Sequence, residues 1–179
     1  MPNTMRKSLF TTILALCLSA PAAAQTKAVA ESEAVQVKGD FAGSLVVTTD
    51  ADWKTKWDAS GGALPSFAKA GVVAYKKSVF VLTLFANPKL DAKGQANLRC
   101  DFKITNPLGK VQLSRPNLLC HTGRLVANNF GVYLSEPVIA FSGDPGDAPG
   151  IWLVEVKLRD VVRASELLMR SSFELKAAK

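Results

Sequence analysis

A single histidine, His121, and three cysteines are all that this 179-residue chain offers of the residues most used in metal and acid–base sites. With one histidine, no H-E-x-x-H metal motif can be written, and any Ser-His-Asp arrangement must use His121. No G-x-S-x-G nucleophile turn occurs either. Long apolar runs are also missing. The apolar stretch at residues 9–20 is 12 residues long, against the roughly 20 that a membrane-spanning helix needs. These absences lead to the expectation that the chain is not an enzyme, carries no cofactor and has no transmembrane segment once processed.

That apolar stretch has a clear reading. Arg6 and Lys7 precede it, and Ala22-Ala23-Ala24 follows before Gln25. A basic start, a short apolar middle and small residues at the end make a cleavable secretory signal. The expected organisation is a signal peptide at 1–24, a disordered polar leader at 25–33, a strand-and-helix extension at 34–70, a β-sandwich at 71–175 and a tail at 176–179. Cleavage after Ala24 removes two basic residues and no acidic one, leaving 155 residues with a net charge of +5 from the full chain's +7. The expected location is periplasmic or secreted, which makes nucleic acid an unsuitable partner. A basic exported chain suits another envelope protein or an anionic envelope polymer.

Cys17 leaves with the signal. The two remaining cysteines, Cys100 and Cys120, allow one disulfide in an oxidising compartment.

The strand reading rests on a period of two. In residues 150–175, Trp152, Val154, Val156 and Leu158 fall on one face, with Ile151, Leu153, Glu155, Lys157 and Arg159 on the other. After a polar connection, Leu167, Met169, Ser171, Phe173 and Leu175 alternate in the same way, which predicts an antiparallel hairpin. Residues 96–105 alternate as cleanly, with Leu98, Cys100, Phe102 and Ile104 facing inward. Asn106-Pro107-Leu108-Gly109 reads as a β-turn. A shorter strand at 110–114 should end at Pro116, and 115–130 reads as loop-rich. Residues 71–75, 79–86 and the pieces around 133–134 and 138–141 complete about seven strands. Residues 79–86 are apolar on both faces, as a strand covered on both sides would be. Ahead of them, Asp50 stands as N-cap of a short helix that carries Trp53 and Trp57 on one face.

The segment Asp147-Ala148-Pro149-Gly150-Ile151-Trp152, with Ser172-Phe173-Glu174-Leu175 after it, resembles the closing hairpin of bacterial immunoglobulin-like or fibronectin type III-like modules. Phe102 to Val111 is similar to the corner between their third strand and the next. The resemblance implies an all-β fold, an immunoglobulin-like antiparallel β-sandwich, and says almost nothing of function. Cys100 and Cys120 sit around one corner, unlike the antibody pattern, so no antibody-type bridge is implied.

Three places hold candidate chemistry. Trp53 and Trp57, flanked by Lys54 and Lys56, would make a stacking or docking face if exposed, or would seal the outside of residues 79–86. Cys100, Cys120 and His121 are an alternative metal-ligand set of zinc or copper type. Asp144 and Asp147 are too few for calcium and read as turn formers, while Asp50, Asp52 and Asp58 read as helix-capping groups. The function expected from all of this is an exported, non-catalytic envelope interaction or accessory module. The alternative is a polysaccharide-binding or metal-binding protein of the envelope.

Overall fold

The computed structural model describes residues 27–60, 63–126 and 131–176. The expected signal peptide and the tail beyond Lys176 lie outside the described residues. Within them, a single 3-10 turn at Glu31–Ala34 is followed by ten strands and one short helix. The strands are β1 (Val35–Lys38), β2 (Phe41–Thr48), β3 (Val72–Ala74), β4 (Ser78–Ala86), β5 (Ala96–Thr105), β6 (Val111–Gly123), β7 (Val132–Leu134), β8 (Ile139–Ser142), β9 (Gly150–Asp160) and β10 (Ser165–Lys176). The helix, α1, spans Trp53–Asp58.

Two sheets pack face to face, so the all-β sandwich expected from the sequence is the architecture observed. One sheet runs β1-β2-β4, with β7 and β8 sharing the far edge of β4; the other runs β3-β10-β9-β5-β6. β1 and β2 belong to the first sheet, because β2 pairs with β4 from Ala42↔Ala86 to Thr48↔Phe80. The pairing is antiparallel except at β3, which runs parallel to the last three residues of β10.

The hairpin β9–β10 forms as its alternation predicts. Val156 lies opposite Met169 and Trp152 opposite Phe173. The inward stripe Trp152, Val154, Val156 and Leu158 is at most 1% exposed. Trp152 also meets Phe141 of β8 at 5.0 Å between ring centres, so one indole joins the two sheets. Its Nε1–H donates to the Ala148 carbonyl at 3.0 Å, which removes the cost of burying the indole's polar atom.

The end of this hairpin gathers three loops. The buried Asp160 carboxylate accepts the Lys89 amide at 2.7 Å and the Arg163 amide at 3.0 Å. Arg163 in turn pairs with Asp40, donates to the Asn87 carbonyl at 3.0 Å, and lies over the Phe41 ring.

Strand β6 departs from the sequence reading. It does not stop at Pro116 but continues to Gly123, so 115–123 is strand rather than loop. Two facts permit this. β6 is an edge strand, where a proline's missing N–H leaves no gap in the ladder. The register also slips, with Cys100 opposite Leu118 and Phe102 opposite Arg115. Pro116 and Asn117 bulge out in between. Asn117 adopts a positive φ of 55°, and its amide donates to Asp101 Oδ1 at 2.7 Å. A second slip lies between Leu119 and His121. There Cys120 and His121 both turn inward: Cys120 is 1% exposed, and the His121 ring packs on Phe85.

The Cys100–Cys120 disulfide forms within this sheet, across a sequence separation of 20. Closing a loop of that size stabilises a fold by about 3 kcal/mol in the chain-entropy account.

The centre of β9 offers a direct test. Val156→Asp would place an unpaired carboxylate at a fully buried position. It should cost several kcal/mol and leave the chain unfolded at room temperature, as read by far-ultraviolet circular dichroism. A folded variant with an unchanged melting temperature would refute the assigned facing.

Candidate functional site: a cationic cleft beside the tryptophan helix

α1 lies against the outer face of the first sheet. The Trp53 ring sits 6.4 Å from that of Phe80, which points outward from β4. Next along that face, Leu82 and Leu84 are buried as well. Trp53 and Trp57 are both half-buried. An indole held this way is in part a cover for β4 and in part a surface.

The lysines of the helix are not free to meet a ligand. Lys54 pairs with Asp58 at 2.8 Å, and Lys56 with Asp50 at 2.7 Å and Asp52 at 3.4 Å. Asp50 is not the N-cap that the sequence suggested; the N-cap position falls to Asp52, with no side-chain cap bond. The Asp50 carboxylate reaches across to the Ala68 amide at 2.9 Å instead. The Lys56 ammonium, then that amide, hold the Asp50 carboxyl below its ordinary range. A lysine–aspartate network thus closes the helix onto the segment that leads to β3.

Beside this network is a cleft of 410 Å³. Thr49 and Ala51 form one bank, β3 the other, and Phe80 joins the wall next to Trp53. Lys76 and Lys77 stand on the rim, exposed. Lys76 has a φ of 64°, and its amide is fixed by the Gly143 carbonyl at 2.7 Å. Neither ammonium makes an ion pair among the described residues, whereas those of Lys54 and Lys56 are neutralised. The lysines singled out by sequence are Lys54 and Lys56, not Lys76 and Lys77. A dibasic turn directly after a strand with no acidic residue nearby was the signal for the reverse assignment.

A second hollow, of 360 Å³, lies on the outer face of the other sheet near Lys103, Glu155 and Leu168. Its charges are satisfied internally. Glu155 pairs with Lys103 and with Arg170, and Arg159 forks onto Asp101 at 2.5 and 2.7 Å. Burial would raise the Glu155 carboxyl, but the hydrogen bonds from Lys103 and Arg170 outweigh it and hold it below its usual value.

The metal-ligand alternative fails on chemistry. Both sulfurs of Cys100 and Cys120 are spent on the disulfide, leaving His121 alone. No cluster of three histidine, cysteine, aspartate or glutamate side chains suited to a metal occurs among the described residues. His121 packs against Phe85 with its ring centre 5.5 Å away, and its Nε2 is buried without a partner. The Thr83 and Ser135 hydroxyls nearby are likewise buried and unpartnered. Burial pushes the His121 imidazole below its ordinary pKa, partly offset by a backbone bond to Gly123 and by Glu136. Asp144 and Asp147 form a turn, with the Asp147 carboxylate accepting the Asp144 amide at 2.8 Å.

No family model matches this chain. No curated protein matches it either. Among solved structures it is similar to a family 123 glycoside hydrolase from Clostridium perfringens, at 10% identity and a TM-score of 0.43, over 76% of this chain. The chain spans only 28% of that hydrolase. It is also similar to a Niemann-Pick type C2 protein from Japanese carpenter ant, at 11% identity and a TM-score of 0.36, over 59% of this chain and 79% of that one. At such identities and scores neither likeness carries function to this chain.

Two outcomes follow from the site's geometry. Trp53→Ala should lower stability by roughly 2 kcal/mol, because half an indole's burial is lost. In a chain of this size that is about 4–8 °C in melting temperature. No change in melting would mean that the indole covers nothing. The second concerns acid. His121 is held neutral in the fold and titrates near 6.5 when unfolded, so its contribution is fully present above that pH and is lost as pH falls through the lower folded value. The wild type should melt earlier at pH 5.5 than at pH 7.5, and His121→Gln should lose most of that difference. An equal fall in both would assign it elsewhere.

Proposed function

We propose that this chain is an exported, immunoglobulin-like, non-catalytic interaction module whose contact site is the cleft between the Thr49 and Ala51 bank and β3. The observation that carries this reading is the charge arrangement: Lys54 and Lys56 are neutralised, and Lys76 and Lys77 make no ion pair among the described residues and stand beside Phe80, whose ring contacts Trp53. Unpaired cations next to aromatic surface suit an anionic partner with some apolar surface. The net charge of +5 that remains after cleavage at Ala24 acts in the same direction at longer range. A binding role rather than a catalytic one is supported by the sole histidine, which is turned onto Phe85 with its Nε2 buried. The disulfide supports an oxidising compartment. The reading places the protein in the envelope, with another envelope protein or an anionic polymer as partner.

The test is affinity capture from an envelope fraction, run in parallel with the wild type and a Lys76→Glu/Lys77→Glu variant of equal melting temperature. The wild type should retain a component that the variant loses, and retention should fall as salt rises. Equal retention by both proteins would remove the cleft from the account.

A further inference from the structure

The chemistry of the cleft's second bank goes further than its charge. β3 is an edge strand with one partner. The Gly71 carbonyl accepts the Glu174 amide at 2.8 Å, and the Tyr75 amide donates to the Lys176 carbonyl at 3.2 Å. Backbone groups on a strand alternate in direction, so those of residues 71, 73 and 75 point to β10 and those of Val72 and Ala74 point away. The Ala74 carbonyl is taken by the Lys77 amide at 3.1 Å, within the turn. The Val72 N–H, the Val72 C=O and the Ala74 N–H remain, without a partner among the described residues. They face the side where the cleft opens, and Val72 is 63% exposed. Two donors and one acceptor at a spacing of about 7 Å are what an extended peptide pairs with when it adds a strand to a sheet.

We propose that the free edge of β3 binds an extended acidic peptide segment of a partner protein, which adds as a sixth strand beside β3. Its carboxylates meet Lys76 and Lys77, and an apolar side chain lies against Phe80. The proposal rests on the cleft being the contact site and names its occupant. Charge decides for an acidic segment over a neutral or basic one. The peptide class follows from the backbone groups, since a polymer held only by stacking and charge would make no use of the Val72 and Ala74 amides.

Among the described residues no strand other than β10 pairs with β3. The longer edge, β6, is interrupted by Pro116 and the Asn117 bulge, and the Cys120 carbonyl is occupied by the Glu136 amide at 3.0 Å. Those features block strand addition. β3 has no proline, no bulge and no inward charge.

The experiment uses the purified chain and fluorescein-labelled acetyl-Glu-Val-Glu-Val-Glu-amide, with the Lys-Val-Lys-Val-Lys peptide and tetragalacturonate as comparison probes. Anisotropy should show binding of the acidic peptide at least tenfold tighter than the basic one, weakened by salt. Val72→Pro removes a donor outside the β10 ladder, so it should keep its melting temperature and bind about tenfold more weakly, the value of one hydrogen bond. Should that variant misfold, wild-type exchange answers the same question: the Val72 and Ala74 amides should slow on addition of peptide. Absence of acidic-peptide binding, or binding with both amides unaffected, overturns the inference. Tetragalacturonate binding without peptide binding also overturns it, while leaving the cleft as the contact site intact.

Discussion

One-sidedness of the central strand β9 is the constraint on which the rest of the molecule depends. Every second residue, from Trp152 to Leu158, is sealed between the sheets. On the opposite face Glu155, Lys157 and Arg159 carry charge, and each charge has a partner on a neighbouring strand: Glu155 with Lys103 and Arg170, Lys157 with Glu166, Arg159 with Asp101. A slip of one residue would exchange the two sets, burying three charges and exposing the indole. β9 lies between β10 and β5, so its register sets both neighbours, and Trp152 carries that order across to β8 through Phe141.

The cleft inherits its shape from this core. The last core residue of β10 is Leu175, whose side chain lies so close to Gly143 that a β-carbon there would clash with it. Glycine lets the turn approach, and the Gly143 carbonyl then holds the Lys76 amide. The position of the rim lysine follows from packing at the end of β10. On the other bank, Asp50 joins Lys56 of the helix to the Ala68 amide just before β3. These paired charges hold the helix, whereas Lys76 and Lys77 on the rim make no ion pair among the described residues.

Much of the fold was legible in the sequence because a buried face writes itself as alternation. The hairpin β9–β10, strand β5 and the Asn106–Gly109 turn all read that way, and the two cysteines could pair only with each other once Cys17 was set aside. β6 was not legible past Pro116, because what tolerates the proline is its place at an edge and the capture of the Asn117 amide by Asp101, 16 residues away in sequence. The parallel pairing of β3 was invisible for the same reason: three residues carry no period, and their partner lies a hundred residues on. At the site, the tryptophans were legible as a face, whereas the pairing of Lys54 and Lys56 and the freedom of Lys76 and Lys77 depend on which carboxylates the fold brings near.

Central to this account is a stable core hairpin flanked by a strand with one edge left open. Residue-resolved hydrogen exchange on the unliganded protein measures both at once. Amides of Val154, Val156 and Met169 should be among the slowest, Val73 should be protected by its bond to β10, and Val72 and Ala74 should exchange orders of magnitude faster than Val73. Protection of Val72 and Ala74 equal to that of Val73 would mean that the edge is already covered, and would contradict the account.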